Sequence, residues 1–280
     1  MRKTLSDIGS MKARGEKITM LTAYDASMSR LLAGCDVDML LVGDSLGMVM
    51  LGYDSTVPVT MEEMLHHAKA VRRGAPESFI VGDLPYGAYQ TGSRDAINNA
   101  IRFLKEADCD AVKLEGGLNM CGIVKALVEA GIPVMAHIGL TPQTASQLGG
   151  YKVQGRGIED AKRLLVEAKG LEKAGAFAIV LECVPDTLAK VVSASLTMPT
   201  VGIGAGADCD GQVLVTHDLL GLFDKFTPKF VKKYANLAPT IKDSIRQYGA
   251  EVKEGVYPAA EHTFTSETDY DSLLEEEKSV

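Results

Sequence analysis

The 280-residue chain has no tryptophan, and aromatic residues make up only 6% of it. A core without large rings is filled by aliphatic and sulfur side chains, a use that accounts for twelve methionines without a cofactor box. No CxxC pair occurs. The five cysteines, Cys35, Cys109, Cys121, Cys183 and Cys209, are odd in number and widely spaced. That excludes a disulfide framework and a structural zinc site, and it predicts reduced thiols in a cytoplasmic protein. No uncharged apolar run approaches the roughly 18 residues of a membrane span. The start, MRKTLSDIGSMKARGEK, is basic but lacks the apolar segment of a secretory signal. Basic charge is also scarce: 29 Lys and Arg face 37 Asp and Glu, a net of −8, which argues against a nucleic-acid binder. Six of those negative units fall within residues 257–280, so the body is close to neutral.

Short apolar, β-branched runs alternate with longer amphipathic stretches. Strands are expected at 18–24, 37–43, 78–82, 111–115, 132–138, 176–182, 199–204 and, more weakly, 212–216. Helices are expected at 60–73, 93–107, 122–130 and 158–174. Thr60 and Ser93 read as N-caps, with Glu63 completing a capping box, and Gly74, Gly131 and Gly175 suit the left-handed position after a helix. The strand runs do not alternate in polarity, as expected of a parallel sheet covered on both faces. About eight such units in about 250 residues is the size of a closed (β/α)8 TIM barrel, with an open doubly wound sheet as its rival. No linker divides the body, so residues 1–256 read as a single barrel domain and 257–280 as an acidic tail; the segment after Thr227 reads as closing helices.

Polar residues recur at the strand ends. Asp44 follows MLLVG, Asp83 follows FIVG, Glu115 follows AVKL, His137 follows PVMA and Glu182 follows AIVL. An ionisable group beside a buried apolar run is costly unless it is paired, binds metal or faces a solvated mouth. In a parallel barrel all strand C-termini open on one face, so the five converge on one cavity. Asp44, Asp83 and Glu115 offer oxygen ligands, which favour Mg²⁺ over zinc or copper. Lys113, two residues before Glu115, shares its face of the strand and can grip an anionic substrate. Glu182 stands apart from the triplet as the candidate proton acceptor.

Two motifs point elsewhere. Gly43-Asp44-Ser45-Leu46-Gly47 fits a nucleophile elbow, but no histidine has an aspartate three residues before it, and the stretch after Ser45 reads as extended where an elbow demands a helix. Gly202-Ile203-Gly204-Ala205-Gly206-Ala207 mimics a dinucleotide fingerprint, yet it follows the seventh strand and precedes no helix pattern. There the glycines suit backbone contacts to a substrate anion. His66 and His67 lie on a helix and read as exposed.

The blocks KITMLTAYD (17–25), LLVGDSLGMVMLGYDSTVPVT (40–60), VGDLPYGAYQ (81–90), AVKLEGG (111–117), HIGLTPQ (137–143), GGYKVQGR (149–156), LECVP (181–185) and GIGAGADCDGQVLVTHDLLG (202–221) resemble the ketopantoate (3-methyl-2-oxobutanoate) hydroxymethyltransferase family, in order, over about residues 3–240. Ala88 stands where a serine is expected nearby, and Ala136 where glycine is usual, departures expected to touch the pocket wall. The resemblance implies a (β/α)8 barrel and a homo-oligomer, a homodecamer in the family. It also implies Mg²⁺ and transfer of a one-carbon unit from 5,10-methylenetetrahydrofolate to 3-methyl-2-oxobutanoate through a Mg-stabilised enolate, giving 2-dehydropantoate for pantothenate biosynthesis. By motif, it assigns Asp44, Asp83 and Glu115 to the metal, partly through water, and Glu182 to proton removal. Asp44, Ser45, Asp83 and Lys113 would contact the 2-oxo acid, with His137 and the Gly204–Gly206 backbone as further contributors. The enzymatic runner-up is a lyase or mutase of the phosphoenolpyruvate mutase and isocitrate lyase type; its cysteine-centred loop, such as KKCGH, is absent.

Overall fold

A computed structural model describes residues 2–268 and 270. Eight parallel strands close into a barrel in the order β1 to β8: Ile18–Thr22, Met39–Val42, Phe79–Asp83, Ala111–Glu115, Val134–Gly139, Ala178–Glu182, Thr200–Ile203 and Gly211–Leu214. β8 pairs back onto β1, which closes the ring and rules out the open sheet. Helices α1 (Leu5–Ala13), α2 (Ala26–Ala33), α3 (Leu46–Val49), α4 (Met61–Gly74), α5 (Ser93–Ala107), α6 (Cys121–Glu129), α7 (Ile158–Lys173), α8 (Asp186–Ser195) and α9 (Thr216–Leu219) complete this unit, residues 1–234.

The interior is an apolar plug at its base. Met20, Met39, Leu41, Phe79, Val81, Ala111, Met135, Ala178, Val180, Val201 and Val213 form one cluster with Ile8 and Met11 of α1. Side chains alternate along a strand, so the residues two positions beyond these face the same way. Val81 leads to Asp83, Ala111 to Lys113 and Glu115, Met135 to His137, and Val180 to Glu182. The lower layers are apolar and the upper layer is ionisable. A second cluster packs the outer strand faces against the helices. Ala88 and Ala136 belong to that outer layer, so neither departure from the family pattern reaches the pocket wall.

Several local expectations change. Thr60 caps α4 with the reciprocal Glu63 box, as its sequence indicates. Ser93, however, is the first helical residue of α5; the cap is Gly92, and Thr91 bonds Asp95 across the first turn. Gly131 and Gly175 adopt positive φ after α6 and α7. Gly74 instead remains helical, because a Cβ there would collide with Ala26 O and Ser29 Oγ of α2. Its role is close helix approach. No helix joins β7 to β8: residues 204–210 return directly, turning at Gly204 (φ 64°) and Gly206 (φ 83°).

The described residues from 235 onward form a separate compact unit. Where closing helices were expected, a single long helix, α10 (Leu237–Glu254), is present with no buried residue. The expected acidic tail falls partly on residues 269 and 271–280, which lie outside the described residues. Among the described residues, no helix is long and apolar enough to cross a membrane. All five cysteines are unpaired.

Candidate active site

The strand register brings the strand-end residues together. Asp83 of β3 lies beside Lys113 of β4, and Glu115 beside His137 of β5. Gly139 pairs with Glu182 of β6. Side chains of residues paired across parallel strands emerge next to each other on one face, so the barrel itself assembles this group. Asp44, Ser45, Asp83, Lys113, Glu115, His137 and Glu182 all line one cavity of about 420 Å³. All seven residues named from sequence therefore meet. Gly204 and Gly206 line a neighbouring hollow instead, where added Cβ atoms would strike Phe230 and Asp186; they serve packing at that point.

The charge arrangement is dense. Lys113 Nζ lies 2.8 Å from Asp83 Oδ1 and 3.9 Å from Glu115 Oε1, with each of the three side chains at most 5% exposed. Burial alone would lower the Lys113 pKa, but Asp83, Glu115 and Asp44 together raise it, so the ammonium is held charged. Burial and the neighbouring acids, Asp83 for Asp44 and Asp44 for Glu115, push both carboxyls up, with Lys113 pulling the other way. Three ionised carboxylates would outnumber the one ammonium, and the raised Asp44 and Glu115 relieve that surplus by holding protons.

His137 joins the acids to Glu182. Its Nδ1 is 3.3 Å from Lys113 Nζ and its Nε2 2.9 Å from Leu140 O. Nε2 also approaches Glu182 Oε2 at 3.3 Å. Nε2 thus faces the acceptors Leu140 O and Glu182 Oε2, while Nδ1 faces both the Lys113 ammonium and, at 3.6 Å, Glu115 Oε1. Glu182 is the more open acid, its side chain 16% exposed. Cys183 follows it at φ 49°, a left-handed conformation unusual for a side-chain-bearing residue.

Ser45 is not placed as a hydrolytic nucleophile. A one-turn helix, α3, does follow it, contrary to the expected extended stretch, because Leu46 N–H donates to Gly43 O and Gly47 N–H to Asp44 O. The Ser45 hydroxyl pairs with Tyr24 OH at 2.8 Å, and its backbone is ordinary right-handed helical. Of the two neighbouring histidines, His66 is exposed as expected, but His67 is half-buried, with Nδ1 2.6 Å from Tyr24 O.

Tyr89 and Gln143 were missed from sequence. Both are buried, and neither lines the cavity itself. Gln143 donates from Nε2 to Asp44 Oδ2 and to Leu84 O, each at 2.9 Å, and from its backbone N–H to Glu115 Oε2 at 3.1 Å. Tyr89 donates to Gln143 Oε1 at 2.6 Å. Neither ends a strand, so the pattern that found the acids passed over them; PYGAYQ and HIGLTPQ carried the signal only as parts of longer blocks.

The donor set suits a hard divalent cation. Asp83 Oδ1 is a buried carboxylate oxygen with no hydrogen-bond donor aligned to it, although Lys113 pairs with it electrostatically. Among the described residues no three His, Cys, Asp or Glu side chains are spaced to grip a metal together.

A model of the ketopantoate hydroxymethyltransferase family matches residues 2–260. A protein named 3-methyl-2-oxobutanoate hydroxymethyltransferase from Desulfotalea psychrophila is 65% identical, covering 98% of each chain. Namesakes from Heliobacterium modesticaldum and Moorella thermoacetica are 56% and 57% identical, covering 93% and 94% of this chain and 95% and 98% of their own. Among solved structures, a phosphoenolpyruvate phosphomutase from Streptomyces platensis superposes with a TM-score of 0.61 at 16% identity, covering 99% of both chains. A phosphonopyruvate hydrolase gives 0.60 at 12%, covering 99% of this chain and 97% of its own. At such identities the structural likeness carries the barrel alone, whereas the sequence matches run nearly end to end. The chain belongs to the ketopantoate hydroxymethyltransferase family.

Proposed function

We propose that this chain transfers a hydroxymethyl group from 5,10-methylenetetrahydrofolate to 3-methyl-2-oxobutanoate, giving 2-dehydropantoate for pantothenate biosynthesis. The observation that carries the reading is the juxtaposition of Glu182, at the open side of the cavity, with the buried Asp83–Lys113–Glu115 cluster across His137. One side of the site can take up a proton while the other holds an anion.

Asp44, Asp83 and Glu115 would hold Mg²⁺, partly through water. The cation supplies polarisation of the 2-oxo group and offsets the negative charge that gathers there when a C3 proton leaves. Lys113, kept charged by its acidic neighbours, and the Ser45 hydroxyl grip the 2-oxo acid, with Asp44 and Asp83 beside them and His137 closing the opposite side. Glu182 accepts the C3 proton. C3 then bonds to the methylene carbon of the folate as its two C–N bonds break; water supplies the hydroxyl, and the two nitrogens take up one proton from water and the one that Glu182 removed, leaving tetrahydrofolate. Leu140 O accepts the Nε2 proton of His137, which fixes the ring, and Glu182 Oε2 lies 3.3 Å from the same nitrogen.

Unpaired cysteines support a reducing, cytoplasmic setting. Assembly into a homo-oligomer is supported by the exposed apolar stripe Ile241, Ile245, Tyr248 and Val252 on α10.

The test is a direct assay of the full chain with both substrates, with and without excess chelator. Formation of 2-dehydropantoate that stops in chelator and returns with Mg²⁺ is expected. Turnover undiminished by chelator overturns the metal assignment, and binding of the 2-oxo acid without turnover in the presence of folate overturns the activity.

A further inference from the structure

Four hydrogen-bonding groups run in series beneath the acids. The Glu115 backbone N–H donates to the Tyr89 hydroxyl at 3.1 Å; of that hydroxyl's two acceptors, Glu115 O at 3.1 Å and Gln143 Oε1 at 2.6 Å, the nearer takes its single proton. With Oε1 committed as acceptor, the Gln143 amide must present its NH₂ to the other side, where it meets Asp44 Oδ2 and Leu84 O. Each link determines the direction of the next, since a hydroxyl has one proton to give and a primary amide has distinct ends. The Gln143 main chain meanwhile holds Glu115 Oε2. One residue therefore fastens one oxygen of each of two acids that come from different strands, and all members are buried.

We infer that Tyr89 and Gln143 are positioning residues that set which oxygens of Asp44 and Glu115 are tied to protein and which remain for the cation. Asp44 Oδ2 and Glu115 Oε2 are the tied oxygens; Asp44 Oδ1 and Glu115 Oε1 are left, while Asp83 Oδ1 faces the Lys113 ammonium at 2.8 Å. Without the amide, a buried carboxylate is free to rotate and to turn both oxygens away from the cavity. Gln143 sits in the 3-10 turn Pro142–Thr144 that directly follows β5, and Tyr89 sits in the loop between β3 and α5. Both are held by the scaffold next to the acids they orient. Neither is a ligand, and neither touches Glu182 in any recorded contact. The inference rests on the divalent-cation reading above, applied to Asp44 and Glu115.

The experiment measures cation binding directly, by Mn²⁺ titration followed by electron paramagnetic resonance, on the full-length parent, Tyr89→Phe, Gln143→Met and the double variant. Partners of this kind change metal affinity by about 10- to 100-fold when removed. Gln143→Met is expected to weaken Mn²⁺ binding within that range, and Tyr89→Phe to weaken it less. The double variant should be no worse than Gln143→Met, because Tyr89 acts through Gln143. KM for the 2-oxo acid should rise with the metal requirement, while kcat at saturating metal is largely restored, a split that general loss of structure does not produce. Tyr89→Phe, differing by one hydroxyl, keeps the comparison on folded protein if Gln143→Met proves unstable. Parental Mn²⁺ affinity in Tyr89→Phe and Gln143→Met overturns the inference, as does an additive double variant. A parent that binds no Mn²⁺ overturns the cation reading itself.

Discussion

His137 Nε2 stands 3.3 Å from Glu182 Oε2 while its Nδ1 stands 3.3 Å from Lys113 Nζ. One imidazole thus spans the gap between the group assigned to proton removal and the group assigned to substrate charge. It can do so because β5 lies between β4 and β6, and the side chain at position 137 points inward from the middle strand.

Glu182→Gln should abolish proton removal while leaving the site's shape intact. A general base typically contributes about 10²- to 10⁴-fold, so turnover is expected to fall within that range. The measurement is nuclear magnetic resonance of C3 deuterium exchange in 3-methyl-2-oxobutanoate with Mg²⁺ and no folate. Exchange at the parental rate in Glu182→Gln would remove Glu182 from its role. His137→Phe, which removes the ring's polar contacts with Lys113, Leu140 and Glu182 but keeps the Glu182 carboxylate, should slow exchange less than Glu182→Gln does.

Lys113→Met should destabilise the metal-free protein strongly. Removing one partner of a buried ion pair costs about 3–5 kcal/mol, since the remaining charges are left uncompensated. Mg²⁺ should recover part of the lost melting temperature in the variant, more than it adds to the parent. Calorimetry with and without Mg²⁺ checks both statements, and a variant melting like the parent would contradict the first.

The raised carboxyls predict a pH dependence of definite sign. Asp44 and Glu115 hold protons in the folded protein at pH values where the unfolded chain has released them. Their contribution to stability is therefore present below the raised folded pKa values and is lost as pH climbs through them. Burial of His217 lowers its pKa and acts in the opposite direction over a nearby range. The comparison of interest is thus parent against Asp44→Asn, both metal-free. Asp44→Asn should lose less stability between pH 5 and 8 than the parent, a window taken as roughly that in which ordinary carboxylates have finished titrating. Equal slopes would show that Asp44 carries no raised pKa.

Gly74→Ala tests the packing of α4 on α2. The new methyl group must displace both Ala26 O and Ser29 Oγ, the first of them backbone. Overpacking of this kind costs about 1–3 kcal/mol. A lower denaturation midpoint with an unchanged slope is expected. Because the contact lies in the helical layer, Mg²⁺ affinity of the folded variant should match the parent.

Much of the site could be read before any coordinates. The ionisable residue closing five successive apolar runs is a one-dimensional signal, because a buried strand ends where its polarity changes. Asp83, Glu115 and Glu182 each close a strand in the structure, as that pattern indicates. Tyr89 and Gln143 left no such mark: a tyrosine in a loop and a glutamine after a proline are ordinary surface residues until neighbouring strands bury them. The N-cap of α5 and the role of Gly74 escaped for the same reason, since each depends on what packs alongside. The segment after Ser45 was misread because a single helical turn is too short to show a period.

Sequence by itself determined the strand–helix alternation, the family and the acids at the strand ends, because these follow from local periodicity, burial cost and motif order along one chain; between a closed barrel and an open sheet the alternation alone did not choose. Tertiary structure alone decided which oxygens face each other. The register sets Asp83 against Lys113 and Glu115 against His137, and the return of β8 to β1 closes the ring that gathers them. Hydrogen-bond direction across residues as far apart as Asp44 and Gln143 then follows from which donors the fold has already committed. Such commitments depend on distances in space, which no linear spacing encodes.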